Sequence, residues 1–178
     1  ALPADDVEYW RSKFDAAHMK FDLYTVFMEL SIDLTRENGY MAMIVPDSWM
    51  STPYGEPLRN KILDETYIDS LLDLRDRNVF SGVTVSNVIP VLRKGDHGDN
   101  PFPVLKLHNK GSSVHAYNHL SENMIKSTEN NNIRLSMSAD DVLLIERIEN
   151  QSVRFDEIYY INWGLRTGTG AKTEKYIV

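Results

Sequence analysis

Five residues with the chemistry of a phosphate-binding loop, Gly164, Gly168, Gly170, Lys172 and Thr173, stand close together in GLRTGTGAKT. Such a loop needs Gly and Lys adjacent, a strand before it and a helix after it, so that successive backbone N–H groups cradle the phosphates. Here Ala171 separates Gly170 from Lys172, and five residues follow Thr173. The spacing argues against a nucleotide site and for a loop that enters another module. His115 and His119, in HAYNH, have the i, i+4 spacing by which two imidazoles on a helix meet one metal ion. No glutamate lies between them, no third ligand is evident and the surroundings read as loop, so no metal site is expected. Tyr9, Trp10 and Phe14 offer a strip for stacking, or, at helical spacing, ordinary core packing.

Two further groups sit where an α/β sheet would present them. Pro46, Asp47 and Ser48 close the apolar run YMAMIV, residues 40–45. Ligands of open α/β sheets bind outside the carboxyl ends of the strands, which would bring Asp47 and Ser48 to a substrate. The other reading is that one of them caps the following turn. Arg75 and Arg77 precede Phe80 in LRDRNVFSG. They are suited to phosphate contact, or to charge pairs with Asp73 and Asp76.

The elements that must hold these groups follow from hydrophobic period. In FDLYTVFMELSIDLTRENG, residues 21–39, Leu23, Val26, Phe27, Leu30 and Leu34 recur with helical spacing, with Asp22 as N-cap and Gly39 as left-handed stop. Residues 40–45 form an uninterrupted apolar run, which predicts a strand covered on both faces. EPLRNKILDE, residues 56–65, predicts a helix with Pro57 in its first turn. Strands are expected over 66–74 and 83–92, and another at 104–107. GDHGDNP, residues 95–101, is a breaker cluster, and KSTENNNIRLS (126–136) reads as a polar surface loop. Ser138 with Asp141 three places on predicts a capped helix over 138–149.

Helix, buried strand, helix and two strands make the second half of an α/β sheet, since one crossover cannot form a stable layered sheet. The chain of 178 residues carries a net charge of −7 and no cysteine. Disulfides and thiolate metal sites are excluded, which fits a reducing cytoplasm. The acidic excess argues against a nucleic-acid coat protein. It is confined to the first 162 residues; beyond them Arg166, Lys172 and Lys175 face Glu174 alone. The N-terminal ALPADDVEYW lacks the pattern of a signal peptide, and no apolar run is long enough to span a bilayer.

From residue 22 to residue 94 the order of DLYTVFME, GYMAMIVPDSWMSTPYGEPLR and YIDSLLDLRDRNVFSGVTVSNVIPVLRK resembles the catalytic domain of adenine-N6 DNA methyltransferases of restriction–modification and phage-defence systems. The resemblance implies the carboxyl-terminal half of a Rossmann-like, S-adenosylmethionine-dependent sheet: mixed, with its last strand antiparallel, followed by a mixed connector. It divides the chain into residues 1–95 (catalytic domain), 96–157 (connector) and 158–178 (start of a target-recognition domain). The last segment is similar to the Gly-x-x-Thr-Gly opening of such modules at Gly164, Thr167 and Gly168. The substrate-adenine pocket implied is Phe80 with Pro46, Asp47 and Ser48; Phe80 either stacks on the extruded adenine or plugs its turn into the core. Candidate DNA contacts are Arg75, Arg77, Arg166, Thr167 and Lys172.

The Asp/Asn-Pro-Pro-aromatic loop of that family is not in this sequence, since prolines 3, 46, 53, 57, 90, 101 and 103 are never adjacent. Neither is its glycine-rich cofactor turn. No catalytic residue is therefore expected within the chain, and the fragment by itself is expected to be inactive. The parent enzyme would use S-adenosylmethionine and double-stranded DNA, join this chain to the rest of the same polypeptide, and leave room for an endonuclease domain. The alternative is a non-catalytic methyltransferase-like module that docks DNA or a subunit. Pro90 falls in the expected last strand, where it removes a ladder hydrogen bond; either the sheet is irregular there or the strand order differs.

Overall fold

The structure is a computed structural model that describes residues 4–77, 79–80, 85–95, 100–108 and 113–160. Its helices are α1 (Ala4–Arg11), α2 (Leu23–Leu34), α3 (Glu56–Glu65), α4 (Glu122–Lys126), α5 (Ala139–Gln151) and α6 (Phe155–Ile158). Its strands are β1 (Tyr40–Ala42), β2 (Val45–Pro46), β3 (Thr66–Asp73), β4 (Asn87–Lys94), β5 (Phe102–Leu107) and β6 (Val114–Leu120). The chain divides into two compact units, Ala1–Val142 and Leu143–Val178. The first holds the whole sheet; the second holds α6 and most of α5.

The sheet runs β1-β4-β3-β5-β6, with β2 also on β4. β4 is antiparallel to β1, β2 and β3, and β3 is parallel to β5. The last strand of the expected half-sheet thus lies inside, antiparallel to its neighbours. The fold is mixed α/β, as expected. Pro90 is accommodated by irregular neighbours. β1 pairs with Val91, Leu92 and Arg93, and β2 with Asn87 and Val88, so neither pairs with Ile89 or Pro90. On the other side β3 shifts register between Ile68 and Ser70, one extra residue of the kind that bends a strand.

The run 40–45 is therefore not one strand buried on both faces. Met41 and Met43 pack on the core, and Val45 is buried within it. Tyr40, Ala42 and Ile44 are exposed. On the exposed face Arg93 lies 5.9 Å from the Tyr40 ring and 5.8 Å from the Tyr67 ring, so an aromatic–cation row replaces an apolar cover.

Helix α2 spans the predicted residues but turns a different face inward. It buries Thr25, Val26, Met28, Glu29 and Ile32, while Phe27 and Leu34 are 50% and 78% exposed. The cause is polar. Glu29 accepts from the backbone N–H of Ala16 at 2.7 Å and of Asp15 at 3.3 Å, and Thr25 donates to the Ala16 carbonyl at 3.1 Å. Those bonds tie α2 to the preceding segment by its polar side. Asp22 holds the N-cap position without a side-chain bond, and the left-handed residue after the helix is Asn38 (φ 60°), not Gly39. Gly39 is still required there, since a Cβ would stand 2.8 Å from the Arg36 carbonyl oxygen.

Beyond residue 95 the sheet continues. β5 joins β3, and HAYNH lies in β6 rather than in a loop, so the helical spacing argument for His115 and His119 does not apply. Four residues along a strand are about 13 Å apart. Residues 126–136 are not merely a surface loop either. Ile133, Leu135 and Met137 are buried with Met28, Trp49, Leu58, Ile62, Ile68 and Leu92 in one core. The predicted cap of α5 is present: Asp141 N–H donates to Ser138 Oγ at 3.2 Å, and Ser138 N–H to Asp141 Oδ2 at 2.8 Å. Among the described residues no helix is long and apolar enough to cross a membrane.

Candidate functional site

Because β4 opposes β1, β2 and β3 while β5 follows β3, the strands β2, β3 and β5 run in one direction and end at one edge. That edge carries Pro46, Asp73 and Leu107 as last strand residues. β2 passes directly into a 3-10 turn, Asp47–Met50. The start of β4 is gripped from both sides: Asp47 N–H donates to the Ser86 carbonyl at 3.0 Å, and Leu74 N–H to the Asn87 carbonyl at 3.1 Å. The structure thereby brings Asp47 against the end of the loop that carries Arg75, Arg77 and Phe80, and the start of that loop against the next residue of β4.

At the β2 corner three hydroxyls meet. Ser48 Oγ lies 2.7 Å from Tyr54 Oη and 3.0 Å from Tyr24 Oη, and the two phenols are 3.0 Å apart. Each hydroxyl owns one proton, so a closed ring uses all three internally and leaves lone pairs outward. Burial holds the Tyr24 phenol well above the ordinary tyrosine value, so it remains a neutral participant. Asp47 beside them is half-buried. Burial raises its carboxyl above the usual aspartate range, against the opposing pull of the Arg75 charge.

At the end of β3 the Asp73 side chain is 1% exposed. Its Oδ1 accepts the backbone N–H of Arg75 at 3.0 Å and Arg75 Nε at 2.9 Å; its Oδ2 accepts Arg75 Nη2 at 2.9 Å and Tyr117 Oη at 2.8 Å. Burial works to raise this carboxyl, and those donors together outweigh it, so Asp73 titrates below the ordinary aspartate value. Tyr117 is pushed up to about 12 by burial and by the Asp73 charge it faces. Arg77 Nη2 donates to the carbonyls of Leu107 at 3.0 Å and His108 at 3.1 Å. Asp76 pairs with Lys106 Nζ at 2.7 Å. Arg75 thus takes the Asp73 partnership foreseen as its alternative, while Arg77 holds backbone rather than Asp76.

Phe80 is 49% exposed. Arg166, Thr167 and Lys172 lie outside the described residues. Sequence reasoning missed Tyr24, Tyr54, Tyr117 and Lys106, and also Arg59. The Arg59 side chain is fully buried. Its Nη1 donates to the carbonyls of Trp49 at 2.6 Å and Thr52 at 2.9 Å, and its Nε and Nη2 both reach the Asn130 carbonyl, at 3.0 and 2.9 Å. The corner after β2 is thus clamped from beneath. The only signal in the sequence was an arginine on the apolar face of a short helix.

Residues 3–80 match the model of the Eco57I restriction-modification methylase family. This segment is similar to the methylase domains of restriction-modification enzymes. The chain is 27% identical to the type II restriction enzyme and methyltransferase RM.Eco57I of Escherichia coli, over 59% of this chain and 10% of that protein. It is 24% identical to the type II methyltransferase M.XhoI of Xanthomonas vasicola, over 97% of this chain and 33% of that protein. Against the crystal structure of the type IIG restriction endonuclease BpuSI the TM-score is 0.47 at 14% identity, covering 60% of this chain and 13% of that one. The chain thus spans between a tenth and a third of the length of these two curated relatives. The resemblance drawn from residues 22–94 is borne out at the level of restriction-modification methyltransferases.

The described residues do not form a cradle for S-adenosylmethionine. β2 runs into Asp47–Met50 and β3 into residues 74–77, neither with a glycine. The hydroxyls of Tyr24, Ser48 and Tyr54 are engaged with one another. The edge presents the Asp47 carboxyl and the Tyr24, Ser48 and Tyr54 hydroxyls instead.

Proposed function

We propose that this chain is part of a site-specific DNA adenine-N6 methyltransferase of a restriction-modification system, contributing one wall of the pocket that receives an extruded adenine. The observation that supports this most is the common edge. The family match covers residues 3–80, and within it Asp47, Ser48 and the turn leading to Phe80 all stand at the carboxyl ends of β2 and β3. Chemistry on a base requires the nucleotide to leave the stack. A half-exposed ring such as Phe80 then supplies stacking worth on the order of 1–3 kcal/mol, and the corner at Asp47 and Ser48 supplies hydrogen-bonding partners for its polar edge.

On this reading residues 1–95 are the carboxyl half of the catalytic domain. Residues 96–157 are a connector whose first strands extend the same sheet, and residues 158–178 open a target-recognition domain, with Arg166, Thr167 and Lys172 near DNA. The groups that accept the adenine amine and hold S-adenosylmethionine belong to residues outside this chain. The chain alone is then inactive, and the parent polypeptide, with double-stranded DNA as partner, works in the cytoplasm.

The test is methyl transfer by the parent enzyme from isotopically labelled S-adenosylmethionine to duplex DNA, with the product nucleosides separated by mass. N6-methyladenine is the expected product. Methylcytosine would overturn the adenine assignment. Duplex binding without any transfer would mark a docking module instead.

A further inference from the structure

The same edge contains a polar recess whose lining includes none of Asp47, Ser48 and Phe80. It opens where β3 and β5 end side by side and β6 begins. Its volume is about 280 Å³, and Asp73, Asp76, Arg77, Lys106, His108 and His115 line it. Asp73 is already ion-paired with Arg75 and hydrogen-bonded by the neutral Tyr117 hydroxyl. Arg77 is held rigid by the carbonyls of Leu107 and His108, and among the described residues no carboxylate lies within ion-pair range of it. Lys106 Nζ stands 4.8 Å over the Tyr117 ring and 3.9 Å from Asp73 Oδ2. Its close partner is Asp76, whose side chain is 76% exposed. The imidazoles of His108 and His115 meet edge to face at 5.8 Å.

A guanidinium, an ammonium and two imidazoles around a small open recess suit a tetrahedral anion. Guanidinium and ammonium supply charge-assisted donors, and Asp76 is a weakly held counter-ion that such an anion would displace. An acidic protein of net charge −7 needs a local cationic seat of this kind to meet a polyanion. We infer that the recess seats one backbone phosphate of the DNA duplex, setting the register of the strand whose adenine enters the pocket at Phe80. Contacts of this type position DNA without reading its sequence. The inference rests on the DNA-methyltransferase reading and deepens it.

Salt dependence of duplex binding by the parent enzyme tests it, measured by fluorescence anisotropy from about 50 to 200 mM salt. Lys106→Gln should lower the slope of log K against log salt by about one, and weaken cognate and non-cognate duplexes about equally. Asp76→Asn should act in the opposite sense and tighten binding, because it removes the competing carboxylate. Both side chains are exposed enough for the variants to fold, which a thermal melt checks. An unchanged slope in Lys106→Gln, or weaker binding in Asp76→Asn, overturns the phosphate seat. So does occupation of the recess by millimolar inorganic phosphate without any effect on DNA affinity, which identifies a free-anion site. Methyl transfer is read separately: methylation with no effect of Lys106→Gln on the slope sinks only this inference. A missing methyl product with the slope effect intact sinks only the chemistry.

Discussion

Asp73 and Arg75, two residues apart, form a bidentate ion pair at the end of β3, with Nε to Oδ1 and Nη2 to Oδ2 both at 2.9 Å. The carboxylate is buried and the guanidinium partly exposed, so the two ends of the pair are not equivalent. Arg75→Ala leaves a buried charge with the backbone N–H of residue 75 and the Tyr117 hydroxyl as its close donors and, among the described residues, no cation closer than Lys106 at 3.9 Å. Breaking a buried pair by removing one partner costs about 3–5 kcal/mol. The partial exposure of Arg75 places the expected loss at the low end, about 3 kcal/mol. Urea denaturation with unchanged m-value measures it, and a loss below about 1 kcal/mol would show that water replaces the arginine.

The same pair sets an acid limit. The folded-state pKa of Asp73 lies below its ordinary value, so its contribution to stability is fully present above the unfolded value of about 3.9 and is lost as pH falls from there through the folded value. Stability measured between about pH 5 and pH 2 should therefore decline with a component that is missing in Asp73→Asn. Equal slopes in both proteins would assign the acid sensitivity to other carboxylates.

Gly55 makes the corner after β2 as tight as the chain allows. A Cβ there would stand 2.1 Å from the Trp49 carbonyl oxygen and 2.8 Å from the Trp49 carbonyl carbon and Cα. These are backbone atoms and cannot rotate away. Gly55→Ala should destabilise by at least about 2 kcal/mol, the cost of overpacking a fixed site, read as a lower melting temperature. Unaltered stability would mean the 3-10 turn at residues 47–50 yields easily.

Arg59 should matter for the same corner by a different route. Arg59→Met fills a similar volume but leaves the carbonyls of Trp49, Thr52 and Asn130 without the donors they now have. Only the bond to the Trp49 carbonyl is fully buried, and one buried unsatisfied group costs about 1–3 kcal/mol. A loss in that range is expected, with water free to reach the part-buried Thr52 and Asn130 carbonyls. Arg59→Lys, with three donors on a point charge rather than a planar fork, should recover only part. Full recovery by lysine would show that the charge, not the fork, is what the corner needs.

What could be read from the chain was local. Helix α3, strands β3 and β5 and the pairing of Ser138 with Asp141 all follow from residues within a few positions of one another. The family resemblance rested on such pieces in order. What could not be read depended on distant partners. Arg59 finds its acceptor at Asn130, 71 residues away, and Tyr24 finds Tyr54 30 residues away. The burial of α2 turned on Glu29 and Thr25, polar residues drawn inward by backbone groups that hydrophobic period does not register. β6 was hidden for a related reason: VHAYNHL alternates little apolar character, and its strand state comes from pairing with β5 rather than from its own composition.

Phe80 separates the substrate reading from a structural one. Its ring is half-exposed, so truncation removes less buried area than at a core phenylalanine. Phe80→Ala should lower stability by no more than about 1 kcal/mol, well short of the 3–5 kcal/mol typical of buried aromatic truncations. In the parent enzyme the lost stacking, on the order of 1–3 kcal/mol, corresponds to roughly 5- to 150-fold weaker capture of the extruded base. A fluorescent base analogue at the target position reads this directly, since its emission rises when it leaves the stack and reports how much is held out. Binding of S-adenosylmethionine, measured by calorimetry, should be nearly unchanged. Phe80→Trp keeps a π-face and should retain most of the capture. If cofactor affinity and stability fall together in Phe80→Ala, the ring belongs to the packing of its turn and the adenine pocket must be sought elsewhere on the edge.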